Sequence, residues 1–387
     1  MNTLSVNYSS LQFLALIICL PFVISQKCTK NKPVILNIGD GNSDTGGFTA
    51  VTGLEDGHPY GRKFKDGPTG RPTDGRQLID FLCESLHTDH LTPYLDALDQ
   101  SNFANGANFA VLGACASPIS NITRFIPIDL DTQTNQLKYF KMKSTELPHS
   151  KHTKTLPIGY FPNALYTLDI GYNDLSYFLN SSTLSLDQVI LKIPSLIFNI
   201  KKAILEIYNM GGKNIVVFNA PPFGCFPGEL AVKQRNTKIS KALDSIGCMK
   251  SLNDAAQAFN LQLKVLCEKL RSQLNNPKIV YMDMFSIKYD LVANSKSYGF
   301  KNPLMACCGY GGAPYNFDPD STRTCWTNEA TVVCDKSDKF ISFDGIHYTD
   351  AANNIIAEKI NSVKYSTPPV KLSDLVCSNV GKSSTKP

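Results

Sequence analysis

A chain of 387 residues, 43% hydrophobic and 18% charged, can bury a sizeable core and suits one large α/β domain or two small ones. The formal net charge of +5 is mild, and no Lys/Arg cluster resembles a nucleic-acid patch. Nucleic acid is therefore not an expected partner.

Residues 11–25, LQFLALIICLPFVIS, form an apolar run broken by Gln12 and Pro21. A spanning helix needs about 20 apolar residues, so the run better suits a secretory signal core, with Val23 and Ser25 at the small-residue positions before cleavage. The preceding segment carries no Lys or Arg, and an uncleaved anchor is the alternative. The expected organisation is a signal peptide over 1–25 and a single domain over 26–387. Such a protein is secreted to the apoplast, cell wall or vacuole, without stable membrane insertion. Its polar tail, SNVGKSSTKP, reads as disordered.

Of the 12 cysteines, Cys19 would leave with the signal. The odd remainder, in an oxidising compartment, implies bridges plus at least one free thiol. Cys307, Cys308, Cys325, Cys334 and Cys377 cluster late. Adjacent Cys307 and Cys308 lack the separation usual in zinc knuckles, so disulfides are expected there and no metal. Sequons at Asn121 and Asn180 fit a secreted glycoprotein.

Along the chain, short β-rich runs alternate with helical ones. PVILNIGD (33–40) reads as a buried strand ending in a glycine turn. DGRQLIDFLCESLH (74–87) has apolar residues at helical spacing, with Asp74 as N-cap. ANFAVLGA (107–114) and ALYTLDIG (164–171) read as further strands. SLDQVILKIPSLIFNIKKAILEIYNMGG (185–212) reads as one long amphipathic helix kinked near Pro194. NIVVFNAPP (214–222) and KIVYMDMF (278–285) are strand signals around a helical stretch at 238–274. TDAANNIIAEKINSV (349–363) reads as a last helix, capped by Thr349 or Asp350. This alternation implies a mainly parallel sheet between two helical layers.

In such sheets sites form at the carboxyl ends of the strands. Four of these ends are polar or glycine-rich: GDGNSDTGG from residue 39, VLGACAS from 111, GYNDL at 171–175 and FDGIHYTD at 343–350. Asp344 and His347, three apart on a turn entering a helix, can pair so that the carboxylate fixes the imidazole tautomer. An isolated pair of this kind is more often a surface His beside a capping Asp.

Together these segments, with PTGRPTDGRQLIDFL (68–82), NFANGANFAVLGA (102–114), NAPPFGCFP (219–227) and ACCGYGGAPYNF (306–317), resemble the plant GDSL-type esterases/lipases of the SGNH hydrolase superfamily over roughly residues 33–365. The resemblance implies a flavodoxin-like three-layer sandwich, carboxylic ester hydrolysis and no cofactor. The family's first block is Gly-Asp-Ser-x-x-Asp-Thr-Gly-Gly, and its serine is the nucleophile. This chain reads Gly39-Asp40-Gly41-Asn42-Ser43-Asp44-Thr45-Gly46-Gly47, which puts Gly41 at that position. The oxyanion-hole residues correspond to Gly113 and Asn173, and the final pair to Asp344 and His347. Ile38 and Phe343 replace the usual Phe and Trp, apolar exchanges that read as repacking.

Glycine cannot form an acyl-enzyme. In a serine protease, losing the nucleophile costs about 2 × 10⁶ in turnover and leaves roughly 10³–10⁴ over water. Ser43, two residues on, reads as a local turn hydrogen-bonder rather than a substitute. A water activated by His347 is the better chemical replacement. Two functions follow: a divergent enzyme acting on an ester- or carbonyl-bearing metabolite, or a silent monomer binding an ester, acyl or glycoside ligand. A single-nucleotide null variant is a third origin for Gly41.

Overall fold

The computed structural model describes residues 32–54, 57–65, 67, 69–96, 102–118, 128–146, 155–181, 183–234, 242–321, 323–327 and 332–376. The expected signal peptide, the Asn121 sequon, Cys377 and the polar tail lie outside these residues.

Among the described residues ten strands are formed: β1 (Ile35–Gly39), β2 (Gly106–Asn108), β3 (Leu165–Asp169), β4 (Asn214–Phe218), β5 (Lys278–Met282), β6 (Asn302–Ala306), β7 (Cys308–Gly309), β8 (Val332–Val333), β9 (Phe340–Ser342) and β10 (Ser366–Thr367). The main sheet runs β10-β5-β4-β3-β1-β2, parallel except for β10. Its central strands are buried along their length because helices cover both faces.

The helices are α1 (Gly47–Thr52), α2 (Leu78–Ser85), α3 (Leu130–Glu146), α4 (Tyr172–Asn180), α5 (Leu186–Ile190), α6 (Ile193–Asn209), α7 (Pro227–Gln234), α8 (Lys250–Gln273), α9 (Met284–Ala293), α10 (Asp350–Asn361) and α11 (Leu372–Val376). One layer packs α3 on α6 and α6 on α8; the other packs α2 on α10 and α10 on α9. The result is the expected α/β three-layer sandwich with a mainly parallel sheet. Chain order reverses between β1 and β3, so the crevice beyond their carboxyl ends is the topological switch point.

Local differences from the sequence reading have identifiable causes. Residues 185–212 make two helices rather than one kinked helix, and Pro194 sits in the first turn of α6, where its missing N–H costs nothing. Asp74 does not cap α2. Gln77 and Asp80 form a reciprocal capping box there, while Asp74 accepts from the Asp350 amide at 2.7 Å. The run at 107–114 keeps only three residues as β2; Gly106, at φ 116°, lies where any Cβ would strike the Ile35 carbonyl. Helix α8 begins only at Lys250, and Thr349 caps α10 as read. Helices α3 and α9 gave no recognised signal. On α3 the buried stripe contains Gln133, Thr134 and Ser144, which interrupts apolar periodicity.

Among the described residues three disulfides are present: Cys225–Cys248, Cys307–Cys334 and Cys308–Cys325. Cys83, Cys115 and Cys267 are buried and unbridged. The vicinal cysteines thus bridge in two directions. Ile38 and Phe343 are both fully buried, as core exchanges should be.

Candidate active site

The turn after β1 is held from three sides. Gln133 on α3 exchanges two hydrogen bonds with the Gly39 backbone, at 2.9 and 2.8 Å. Asn108 on β2 donates to the Ser43 carbonyl at 2.7 Å and to Thr45 Oγ1 at 2.8 Å. The buried Asp44 carboxylate accepts from Gly46, Gly47 and Phe48 at the start of α1, and from Leu112 at 2.7 Å. Asp44 therefore ties the turn to the loop carrying Gly113.

That loop is also tied to α4. The Asp174 carboxylate accepts from Ala116 N, Ser117 N and Ser117 Oγ, and Asn173 Nδ2 donates to the Ala114 carbonyl at 2.8 Å. Burial pushes the Asp174 carboxyl up to about 6 against those three bonds. One Asn173 amide hydrogen is spent on the loop, which leaves the second for a ligand.

At the other end of the chain, the turn between β9 and α10 brings Asp344 and His347 together. His347 Nδ1 lies 2.7 Å from Asp344 Oδ2, both residues 6% exposed. Asp344 Oδ1 accepts from the Ile346 and His347 amides at 3.0 and 2.7 Å, and Tyr60 Oη donates to Oδ2 at 3.1 Å. Burial alone would raise the Asp344 carboxyl, but the His347 charge and these hydrogen bonds hold it below the usual carboxylate value.

The structure brings together Gly41, Gly113, Asn173 and His347 around one cavity of about 520 Å³. A Cβ built on Gly41 would stand 2.5 Å from His347 Nε2. Ser43 does not line the cavity. Its hydroxyl is buried beneath the turn against Gly39, with no hydrogen-bond partner among the described residues. The expected local side-chain bond is therefore absent. Asn180 is exposed at the end of α4, where its Nδ2 donates to Glu229 and Ser176.

Several site residues escaped sequence reasoning. Asp40 lines the cavity while its Oδ2 is buried without a partner. Burial and the neighbouring Asp169 push its carboxyl up to about 7. Asp169 is itself raised by burial, opposed by Lys288, whose ammonium is lowered by burial and sits 4.2 Å over the Tyr348 ring. Gln77 donates to the Gly41 carbonyl at 3.1 Å. Tyr60 lies 284 positions from its partner, so nothing local announced it. The α4 residues Ser176, Tyr177 and Asn180 were findable, since with Asn173 they recur at i, i+3, i+4 and i+7.

Among the described residues no group of three or more His, Cys, Asp or Glu side chains could hold a metal, and no helix is long and apolar enough to cross a membrane.

Comparison with known proteins places this geometry in context. Residues 35–360 match the family described as GDSL-like Lipase/Acylhydrolase. The chain is 45% identical to the GDSL esterase/lipase LIP-4 of Arabidopsis thaliana, over 95% of each chain. It is 44% identical to a second GDSL esterase/lipase of that plant, over 93% of this chain and 96% of the other. It is 37% identical to the GDSL esterase/lipase ACHE of Zea mays, over 88% of each.

Proposed function

The chain belongs to the GDSL-like lipase/acylhydrolase family, and on that premise we propose that it is a divergent member acting without a serine nucleophile on an ester- or carbonyl-bearing small molecule. Gly41 stands at the nucleophile position, His347 is the general base and acid, Asp344 orients it, and the Gly113 amide and Asn173 Nδ2 are the oxyanion donors.

For ester hydrolysis the steps balance with water alone. His347 Nε2 takes a proton from a water molecule as its oxygen attacks the ester carbonyl. Negative charge collects on the former carbonyl oxygen, between Gly113 and Asn173. The tetrahedral species collapses, and the imidazolium returns the proton to the departing alkoxide.

The observation that carries this reading is the intact pair. His347 Nδ1 and Asp344 Oδ2 are 2.7 Å apart, and the ring's other nitrogen faces Gly41 inside the cavity. A purely binding role needs no such arrangement. The second reading, a silent ligand-binding member, is favoured by Gly41 itself. Its backbone is not in the left-handed region, so no conformational demand accounts for glycine there. Secretion after removal of residues 1–25, a single mature domain over 26–387, an Asn121 glycan and action as a monomer belong to the same proposal; the disulfides among the described residues support its secretory part.

The deciding experiment compares wild type, His347→Ala and Gly41→Ser on a panel of short acyl esters. Wild-type turnover above His347→Ala on any ester supports the enzyme. Identical background in both sinks it, and ester cleavage confined to Gly41→Ser supports the silent member.

A further inference from the structure

Beyond the reacting centre, one wall of the cavity is a single face of α4. Asn173, Ser176, Tyr177 and Asn180 follow one another at helical spacing and all line it, as does Trp326, the chain's one tryptophan. Behind this face lies Glu229, on α7 and 5% exposed. Its carboxylate accepts from Ser176 Oγ at 2.5 Å, Asn180 Nδ2 at 3.1 Å and Tyr172 Oη at 3.4 Å. Asn180 Nδ2 also donates to Ser176 Oγ at 3.3 Å.

This buried carboxylate fixes the polarity of the wall. A serine hydroxyl has one donor, and here Glu229 takes it. The Asn180 amide nitrogen is committed to Glu229 and Ser176, which leaves Oδ1 as the group this cavity-lining residue can offer a ligand. The wall thus offers acceptors, the remaining Ser176 lone pair and Asn180 Oδ1, next to the aromatic rings of Tyr177 and Trp326. A ligand that satisfies it carries several hydroxyl donors on a ring whose C–H face can lie on an aromatic one. Methylene groups laid there would strand both acceptors out of water.

We propose that the α4 wall is a subsite for a sugar or cyclic polyol, making the substrate an acyl ester of a sugar. The inference rests on the cavity being the substrate cleft, as proposed above, and names what fills its far side. The ester carbonyl lies toward Gly113 and Asn173, and the ring hydroxyls donate to Ser176 and Asn180. Asn180 is then a ligand group. A glycan on its Nδ2 would break the hydrogen bonds to Glu229 and Ser176 that fix the wall, so the Asn180-Ser-Ser sequon stays unmodified.

The test uses the full mature chain carrying His347→Ala, which holds an ester without turning it over. Calorimetric titration compares 6-O-butyryl-glucose with cyclohexyl butyrate, two esters with the same acyl group and a ring with or without hydroxyls. The sugar ester is expected to bind at least about tenfold tighter. Ser176→Ala and Asn180→Leu should each cut that preference about three- to tenfold. Each also removes a hydrogen bond from the buried Glu229 and lowers Tm. The titrations are therefore run at a temperature where both variants are folded, and a folding defect in one leaves the other to decide. Equal affinities, no binding of the sugar ester, or a preference indifferent to both substitutions overturns the proposal. So does an N-glycan on Asn180, found by peptide mapping of protein from a glycosylating host. Turnover by the wild type is measured separately. Tight sugar-ester binding without turnover supports the subsite while removing the catalytic reading.

Discussion

His347 Nε2 lies 2.5 Å from the point where a Cβ on Gly41 would stand, and Leu112 Cδ1 lies 3.1 Å from it. Real side chains do not approach so closely. The imidazole therefore rests on the Gly41 backbone, in space that any side chain would claim. With no left-handed φ at this residue, the fit to His347 is the physical reason a glycine suits the turn.

Gly41→Ala should accordingly displace the imidazole and stretch its 2.7 Å bond to Asp344. The expected cost is about 1–3 kcal/mol, as for overpacking elsewhere. Thermal denaturation and the imidazole NMR resonances report it. Unchanged stability together with an unmoved His347 would contradict this account.

Tyr60 is fully buried and donates to the carboxylate oxygen that holds His347. Tyr60→Phe should cost about 1.5 kcal/mol, the scale of a hydrogen bond to a charged group. The Asp344 carboxyl sits below its usual value, so its contribution to stability is complete above about pH 4 and lost as pH falls through the lowered folded value. Without the tyrosine hydroxyl the folded value moves back toward the usual one, so that loss should be smaller and be complete at higher pH. Melting curves between pH 5 and 3 compare the two proteins, and coincident acid limbs would remove Tyr60 from the site.

Asp40 behaves in the opposite sense. Its folded carboxyl is pushed up to about 7 from 3.8, by burial first and by Asp169 second. Between those values the folded chain keeps a proton that the unfolded chain releases, so stability falls as pH rises from about 4 to 7. Asp40→Asn keeps the acceptor for Asn42 and abolishes this titration. Lys288, which also faces Asp40, retains Asp169. The variant should melt about as wild type does near pH 4 and a few degrees higher at pH 7.5. A Tm difference that does not grow with pH is the contrary result.

The two disulfides at Cys307 and Cys308 act on the site through the backbone. Cys307 N donates to the Ser342 carbonyl and Cys308 N to the Phe343 carbonyl, immediately before Asp344. Tyr60 packs in the same cluster, edge-on to Phe343 at 5.1 Å and tilted against Trp326 at 4.7 Å. Cys308→Ser/Cys325→Ser should cost about 3 kcal/mol for a loop of this size. It should also broaden the His347 resonances. Intact His347 signals in a destabilised variant would separate the disulfide from the site.

The layer architecture was legible because buried parallel strands carry short, mainly apolar runs such as ILNIG and NIVVF. Helix boundaries were less so. Gln77 and Asp80 cap α2, while Asp74 accepts from the Asp350 amide, 276 positions distant. Helix α3 was hidden by polar residues on its inner face, and Gln133 is there because it clamps both backbone groups of Gly39.

By itself the sequence determined the family, the sheet and the short-range chemistry: Asp344 three residues before His347, Gly41 at the turn tip, Asn173 opening a helix. Those are contacts within a turn of chain, set by spacing. Tertiary structure decided what stands around them. Tyr60 reaches Asp344, Gln77 reaches the Gly41 carbonyl, Glu229 takes the donors of Ser176 and Asn180, and Ser43 is turned away beneath the turn. Each of these depends on how separate elements are packed, and packing answers to shape and burial across the whole core, which no local pattern encodes.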